Sequence, residues 1–363
     1  MNHATPLTRR SFLQSLALAS LATRFPACAE PAARRGIKLG MDNFAVRGMG
    51  WKAKELIDYA AGLKLDTLLI SDLEAYESLE NDYLRGVKKQ ADERGIELYA
   101  GSWSICPTSV KFKKNWGSAE EHLRLGLRVA KTLGSPVFRV VLGAAEDRQT
   151  PGGIRARIAD TVQVLKNCRQ DALEAGVKVA VENHAGDMHS WELRDLVEAA
   201  GPDFVGVNID SGNAAWTLED PLDVLRALGK YTICSSLRDD MIWETEDGAA
   251  VQWTAAGEGL IDWAKYADEW QKLCPKVPVM IETISGFSRA FPYKKEGFWK
   301  NYDQRPEALA AFEALAKRGH KLEGFKAPDG VDRKKAEQDF QKGDLERSIA
   351  YLREKIGLGL KAA

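Results

Sequence analysis

Residues 177–184 read Val-Lys-Val-Ala-Val-Glu-Asn-His, and residues 204–213 read Phe-Val-Gly-Val-Asn-Ile-Asp-Ser-Gly-Asn. Each is a short valine-rich run of strand length that closes on a carboxylate, Glu182 in the first and Asp210 in the second. Between them Ser190 heads Trp191–Ala200, a segment of helical period. Strand, helix, strand in that order is the unit of a parallel sheet, because two parallel neighbours need a crossover between them.

The same alternation continues in both directions. Eight strands are expected, at residues 37–41, 65–70, 96–101, 137–142, 177–181, 204–209, 231–236 and 279–283. The segments between them carry helix punctuation. Ser118-Ala-Glu-Glu121 is a capping box opening a helix that Gly134 closes, Ile154–Glu174 repeats the apolar period and ends at Gly176, and Asp220-Pro221 puts proline in a first turn. Eight such units, with no Gly-x-Gly-x-x-Gly turn after the first strand, predict an α/β fold of the (β/α)8 TIM barrel type over residues 30–325, rather than a doubly wound sheet. Two long aromatic-rich connections, Arg238–Gly259 and Ile284–Arg305, read as lids or binding walls without periodic structure. The charged segment Asp332–Lys355, with the stripe Leu345, Ile349 and Leu352, reads as a helix docked on the barrel exterior within a C-terminal helical extension over residues 326–363.

Composition narrows the partners. Of 363 residues, 51 Lys and Arg balance 52 Asp and Glu for a net charge of −1, so no cationic excess is available for a phosphate backbone, and nucleic acid is excluded as a partner. Five cysteines without a Cys-x-x-Cys pair indicate neither a thiolate zinc site nor a redox motif, and read as small buried hydrophobes. At the amino terminus, Arg9-Arg10 precedes an apolar stretch from Phe12 to Ala22, followed by Ala27-Cys28-Ala29. This resembles a twin-arginine export signal over residues 1–29, with cleavage near Ala29 and a periplasmic or otherwise exported location. The apolar run is too short to cross a bilayer and is followed by Arg24, so no stable span is expected after cleavage, and Pro26-Ala27 makes a poor context for lipid attachment at Cys28. Cleavage removes Arg9, Arg10 and Arg24 and no acid, taking the charge from −1 to −4.

In a barrel of this type chemistry sits at the carboxyl ends of the strands. Strand five ends on Glu182, strand six on Asp210 and strand eight on Glu282. Three carboxylates converging on one mouth repel one another unless a cation or bound protons offset them, and all-oxygen ligands favour Mg or Mn over Zn.

On Val-Glu182-Asn183-His184, Asn-Ile-Asp210-Ser-Gly-Asn213, Gly257-Glu-Gly259 with Asp262-Trp263, and Ile-Glu282, the sequence resembles the xylose isomerase-like barrel superfamily, the sugar phosphate isomerase/epimerase group, across most of residues 35–319. The resemblance implies one divalent metal held by the strand-five Glu, strand-six Asp, a strand-seven His and the strand-eight Glu, here Glu182, Asp210 and Glu282, with the two Glu also exchanging protons with the substrate. The strand-seven position departs from the pattern. Where the family reads His-x-Lys-Asp, this chain reads Ser236-Leu237-Arg238-Asp239, and a hydroxyl is a far weaker ligand than imidazole. Alternation along the strand points Ser236 and Arg238 the same way, so the counter-charge is either a metal on three carboxylates or the guanidinium of Arg238 itself.

His184, Arg238, Trp103, Arg139 and Asn213 are the candidate sugar contacts, with Asn183 and His189 as turn or loop residues nearby. The resemblance implies a sugar or keto-sugar isomerase or epimerase that moves a proton next to a carbonyl through an enediolate, with a small carbohydrate as partner. A 3-keto-glycoside lyase or deglycosylating enzyme and a non-catalytic exported sugar-binding barrel are the alternatives. The histidine-rich multi-metal endonucleases of the superfamily are excluded by five histidines and no basic groove. The oligomeric state is left open, a homo-oligomer included.

Overall fold

A computed structural model describes residues 32–303 and 305–361, and the export signal expected over residues 1–29, with Cys28, lies outside them. Strands and helices alternate as β1 (Leu39–Asp42), α1 (Ala53–Gly62), β2 (Thr67–Ile70), α2 (Asn81–Arg94), β3 (Glu97–Ser104), α3 (Ala119–Leu133), β4 (Val137–Val141), α4 (Gly153–Asn167) and α5 (Arg169–Ala175). They continue as β5 (Lys178–Glu182), α6 (Ser190–Ala200), β6 (Val205–Ile209), α7 (Ser211–Ala215), α8 (Pro221–Leu228), β7 (Thr232–Ser235), β8 (Asp239–Thr245), β9 (Gly248–Thr254), α9 (Trp263–Leu273), β10 (Val279–Ile281), β11 (Ser288–Phe291), α10 (Pro306–Ala316) and α11 (Arg333–Glu354).

The barrel strands pair in parallel in the order β10-β1-β2-β3-β4-β5-β6-β7. Leu237 bridges Ile281 and closes the ring, its N–H donating to Met280 O at 2.7 Å while Glu282 N donates to Leu237 O at 2.9 Å. This is the expected (β/α)8 barrel. Its strands are buried on both faces, which is why they read as near-continuous apolar runs.

Two expectations change in detail and a third is met. The connection after β7 is not an irregular lid: β8 and β9 form an antiparallel hairpin turning at Glu246-Asp247, and β11, from the connection after β10, adds a third strand against β9. The helix expected over residues 154–174 is interrupted at Cys168, whose φ of −103° and ψ of 8° separate α4 from α5. The expected C-terminal helix α11 is present and docks on the barrel through the expected stripe. Its Leu345, Ile349 and Leu352 join the main core, whereas Phe312, Leu315 and Ala316 of α10 pack in a separate cluster with the hairpin, so α11 fills the outer position that an eighth crossover helix would take.

The chain behind α11 then returns to the barrel floor. Gly359 N donates to Ile37 O (2.8 Å), Leu360 N to the Asp66 carboxylate (2.9 Å) and Lys361 Nζ to Leu65 O (2.6 Å), while Arg35 N donates to Gly357 O (3.0 Å). The four described cysteines, 106, 168, 234 and 274, are free and buried. Among the described residues no helix is long and apolar enough to cross a membrane.

Candidate active site

The register delivers the carboxylates. Glu182 is the last residue of β5 and sits opposite Asn208 of β6, Asp210 follows β6 and caps α7 by accepting from Gly212 N (2.8 Å) and Asn213 N (3.1 Å), and Glu282 follows β10. All three are buried, with one oxygen of each lying within 4.8 Å of the others, so the expected convergence is present. A fourth carboxylate, Asp42 at the end of β1, was not among the candidates, although Gly40-Met41-Asp42 repeats the pattern of an apolar run closing on an acid. It accepts from Ser71 Oγ (2.6 Å), Phe44 N (2.8 Å) and Ser236 Oγ (3.1 Å).

Two buried guanidiniums face these acids. Arg139, in the middle of β4, puts Nη2 at 2.6 Å and Nε at 2.7 Å from Glu182 Oε2 and donates from Nη1 to Ser102 O at 3.0 Å. Arg238 Nη2 donates to both Asp210 Oδ2 and Glu282 Oε2, and its guanidinium lies 4.3 Å over the Trp253 ring. Four carboxylates to two guanidiniums leave negative charge over. Burial pushes the pKa of Asp42, Glu182, Asp210 and Glu282 upward against the pull of the arginines, which favours protons as the remaining counter-charge.

The metal implied by the resemblance can be tested against these bonds. The spacing of Glu182, Asp210 and Glu282 suits an ion; their lone pairs do not. Arg238 Nη2 already stands between Asp210 and Glu282, Asp210 Oδ2 also accepts from Asn213 Nδ2 (2.7 Å), and Glu182 Oε2 accepts from Asn208 Nδ2 (2.6 Å) as well as Arg139. Ser236, at the position of the family His, spends its hydroxyl between Asp42 and Asn208 (3.2 Å). The residues present fit a guanidinium better than a divalent ion.

Above this layer is a cavity of about 350 Å³. All five candidate sugar contacts, Trp103, Arg139, His184, Asn213 and Arg238, line it together with Glu282, whereas Glu182 and Asp210 lie beneath and are not part of its lining. His184 Nδ1 is 2.5 Å from Gly143 O, and because a carbonyl only accepts, the ring proton is on Nδ1 and the lone pair on Nε2. Burial, with Arg139 nearby, pushes the His184 pKa down to about 3, so the ring is neutral. The indole of Trp103 meets His184 edge-on at 5.2 Å and donates to Lys111 O (2.8 Å). Asn183 braces the end of β6 by donating to Asp210 O (2.8 Å).

Other lining residues were not foreseen. Ser102 Oγ is 2.7 Å from His122 Nε2, both buried, and Trp216 stacks on Trp253 at 4.2 Å to form an aromatic wall. Trp253 lies in a connection marked by its aromatics; Trp216 and the Ser102–His122 pair carried no comparable signal. His189 is elsewhere, stacked on Trp191 at 4.2 Å with Nδ1 3.3 Å from Glu219. Asp239 accepts from Trp263 Nε1 (2.8 Å), Gly257 N (2.9 Å) and Ile261 N (3.1 Å), which explains why the Gly257–Trp263 motif follows strand seven.

Among known proteins, a family model described as xylose isomerase-like TIM barrel matches residues 66–299. No curated protein matches the chain in sequence. D-Psicose 3-epimerase from Clostridium cellulolyticum H10, solved with D-tagatose, superposes with a TM-score of 0.57 at 15% identity over 89% of this chain and 100% of that one. The IOLI protein with a bound zinc atom gives 0.54 at 14% over 79% and 100%, and 3-keto-D-glucoside 4-epimerase from E. coli gives 0.52 at 14% over 77% and 99%. At such identities these are likenesses of fold. Through its barrel and the family match, the chain belongs to the xylose isomerase-like TIM barrel family.

Proposed function

We propose that this protein is an exported sugar or keto-sugar isomerase/epimerase that moves a proton on a carbon next to a carbonyl. The observation that carries the reading is the position of Glu282, a carboxylate on the cavity wall whose partner is the guanidinium of Arg238. A carbonyl oxygen placed against Arg238 and Arg139 is polarised by donors already fixed in a water-poor site. Arg238 has donors to spare, since Nε and Nη1 have no partner among the described residues. Glu282 then takes the proton from the adjacent carbon, the C–H electrons form the enediolate double bond, and the carbonyl π pair moves onto the oxygen. Burial raises the pKa of Glu282, Arg238 pulls it back, and the neighbouring Asp42, Glu182 and Asp210 raise it, so Glu282 acts as the base in its ionised form, paired with Arg238. Return of the proton to the neighbouring carbon isomerises, and delivery to the opposite face by a second proton donor epimerises; His184, at the end of β5 with its lone pair on Nε2 and no proton there, accepts a hydrogen bond from a substrate hydroxyl.

Sugar epimerases with this barrel, acting on D-psicose and on a 3-keto-glucoside, support the substrate class. The twin-arginine segment supports export. In this reading Glu182 holds Arg139 in place from below, and the role the family gives to a divalent ion falls to Arg238. The Trp216–Trp253 wall favours a second reading, elimination from a 3-keto-glycoside, because stacked indoles offer a face to the group that leaves.

Incubation with ketoses and 3-keto-glycosides in deuterated water tests both. Solvent deuterium entering a substrate carbon, reduced about 10²–10⁴-fold by Glu282→Gln, is the expected result. A sugar that binds without exchange in the wild type would make the barrel a binding protein.

A further inference from the structure

We infer that Arg238 has replaced the divalent ion of this barrel architecture, so that the site is built to work without metal. The inference deepens the proposed function, and its metal-binding arm stands or falls separately from catalysis.

The first support is the bridging position of Nη2 between Asp210 and Glu282, which joins the end of β6 to the end of β10 as a shared ion would. The second is that the surroundings are shaped for the arginine stem. A Cβ added at Gly212 would lie 2.3 Å from Arg238 Cγ and 2.6 Å from Cδ, so only glycine lets the side chain pass at that point of the Asp210-Ser-Gly-Asn213 turn. The third is the support on the far face. Trp253 covers the guanidinium at 4.3 Å and is itself held by donation from Nε1 to Gly212 O at 2.9 Å. A cradle of backbone, indole and two carboxylates around one side chain fits a planar cation with forked donors.

The fourth support is what strand seven withholds. Ser236 offers a hydroxyl already engaged by Asp42 and Asn208, and no imidazole among the described residues reaches the three carboxylates. An ion arriving here would have to displace Arg238 from a buried, paired environment and accept three ligands with no nitrogen. A structure with bound zinc on the same fold shows that the architecture itself admits a metal, which places the difference in these side chains.

Metal analysis and metal titration of the purified protein test the inference. The wild type is expected to carry well under one equivalent of Mn, Mg or Zn, to keep its thermal midpoint when any of the three is added, and to be indifferent to chelator. Ser236→His/Arg238→Ala supplies the missing imidazole and vacates the space, and is expected to gain Mn or Zn binding, seen as a rise in midpoint of about 4 °C at metal 100-fold above its dissociation constant. Near-stoichiometric metal on the wild type, or a wild-type midpoint shift that Asp210→Asn removes, overturns the inference. A folded double variant that still takes no ion overturns it too, because Arg238 would then not be what excludes metal. If the double variant does not fold, the wild-type measurements decide alone. Absence of deuterium exchange would sink the proposed catalysis while leaving these metal results unchanged.

Discussion

Replacing Arg238 with Met removes one charge that serves two acids. Arg238, Asp210 and Glu282 are all less than 5% exposed, so neither carboxylate can turn to water when its partner is lost. Breaking a buried pair of this kind costs about 3–5 kcal/mol. The contact with the Trp253 face, worth roughly 2 kcal/mol when desolvated, is partly recovered by the thioether. The carboxyls escape the remaining penalty only by taking up protons, so the cost depends on pH. In Arg238→Met the folded-state pKa values of Asp210 and Glu282, already raised by burial in the wild type, rise further. The folded state then binds more protons than the unfolded one, and stability falls as pH climbs from the unfolded carboxylate range near about 4 toward those raised values. Urea unfolding followed by fluorescence of the 10 tryptophans should show a deficit of about 3–5 kcal/mol at pH 8 that shrinks to about 1 kcal/mol near pH 5. A deficit below about 1 kcal/mol that is the same at both pH values would refute the bridging role.

The other predictions are simpler. His184 is neutral in the fold, with a pKa pushed down to about 3 from an unfolded value near 6.5, so it contributes stability that is lost as pH falls below about 6.5; His184→Gln should flatten that acid limb. The same displacement predicts that the pH–rate profile shows no step between pH 5 and 9 that His184→Gln removes. Gly212→Ala drives a methyl into Arg238 and should cost about 1–3 kcal/mol and most of the activity, whereas Ala at Gly176, where nothing lies within 4 Å but φ is +68°, should cost stability alone. Changing Arg9-Arg10 to Lys-Lys should leave the protein in the cytoplasm, and mass spectrometry of exported wild type should find a chain starting near Glu30.

The eight barrel strands were legible because burial on both faces demands uninterrupted apolar runs, and their boundaries lie within about three residues of those read from Val177–Val181 and its counterparts. The β8–β9 hairpin was hidden because Asp239-Asp240-Met-Ile-Trp-Glu-Thr245 mixes charge with apolar residues, although Glu246-Asp247-Gly248 is a recognisable turn. The convergence of Glu182, Asp210 and Glu282 followed from strand register alone. Which of them faces the cavity did not, since Glu182 is roofed by Arg139 and Asn208, two side chains whose directions depend on packing far from it in sequence. The shared orientation of Ser236 and Arg238 followed from strand alternation; the space for Arg238 depended on Gly212, to which the sequence reading gave no role.

The stitching of residues 357–361 onto Ile37, Leu65 and Asp66 couples order of synthesis to order of folding. β1 is synthesised some three hundred residues ahead of the donors that complete its lower end, with α11 just before them. A nascent chain stopped anywhere before residue 357 keeps an unfinished seam at the start of the ring.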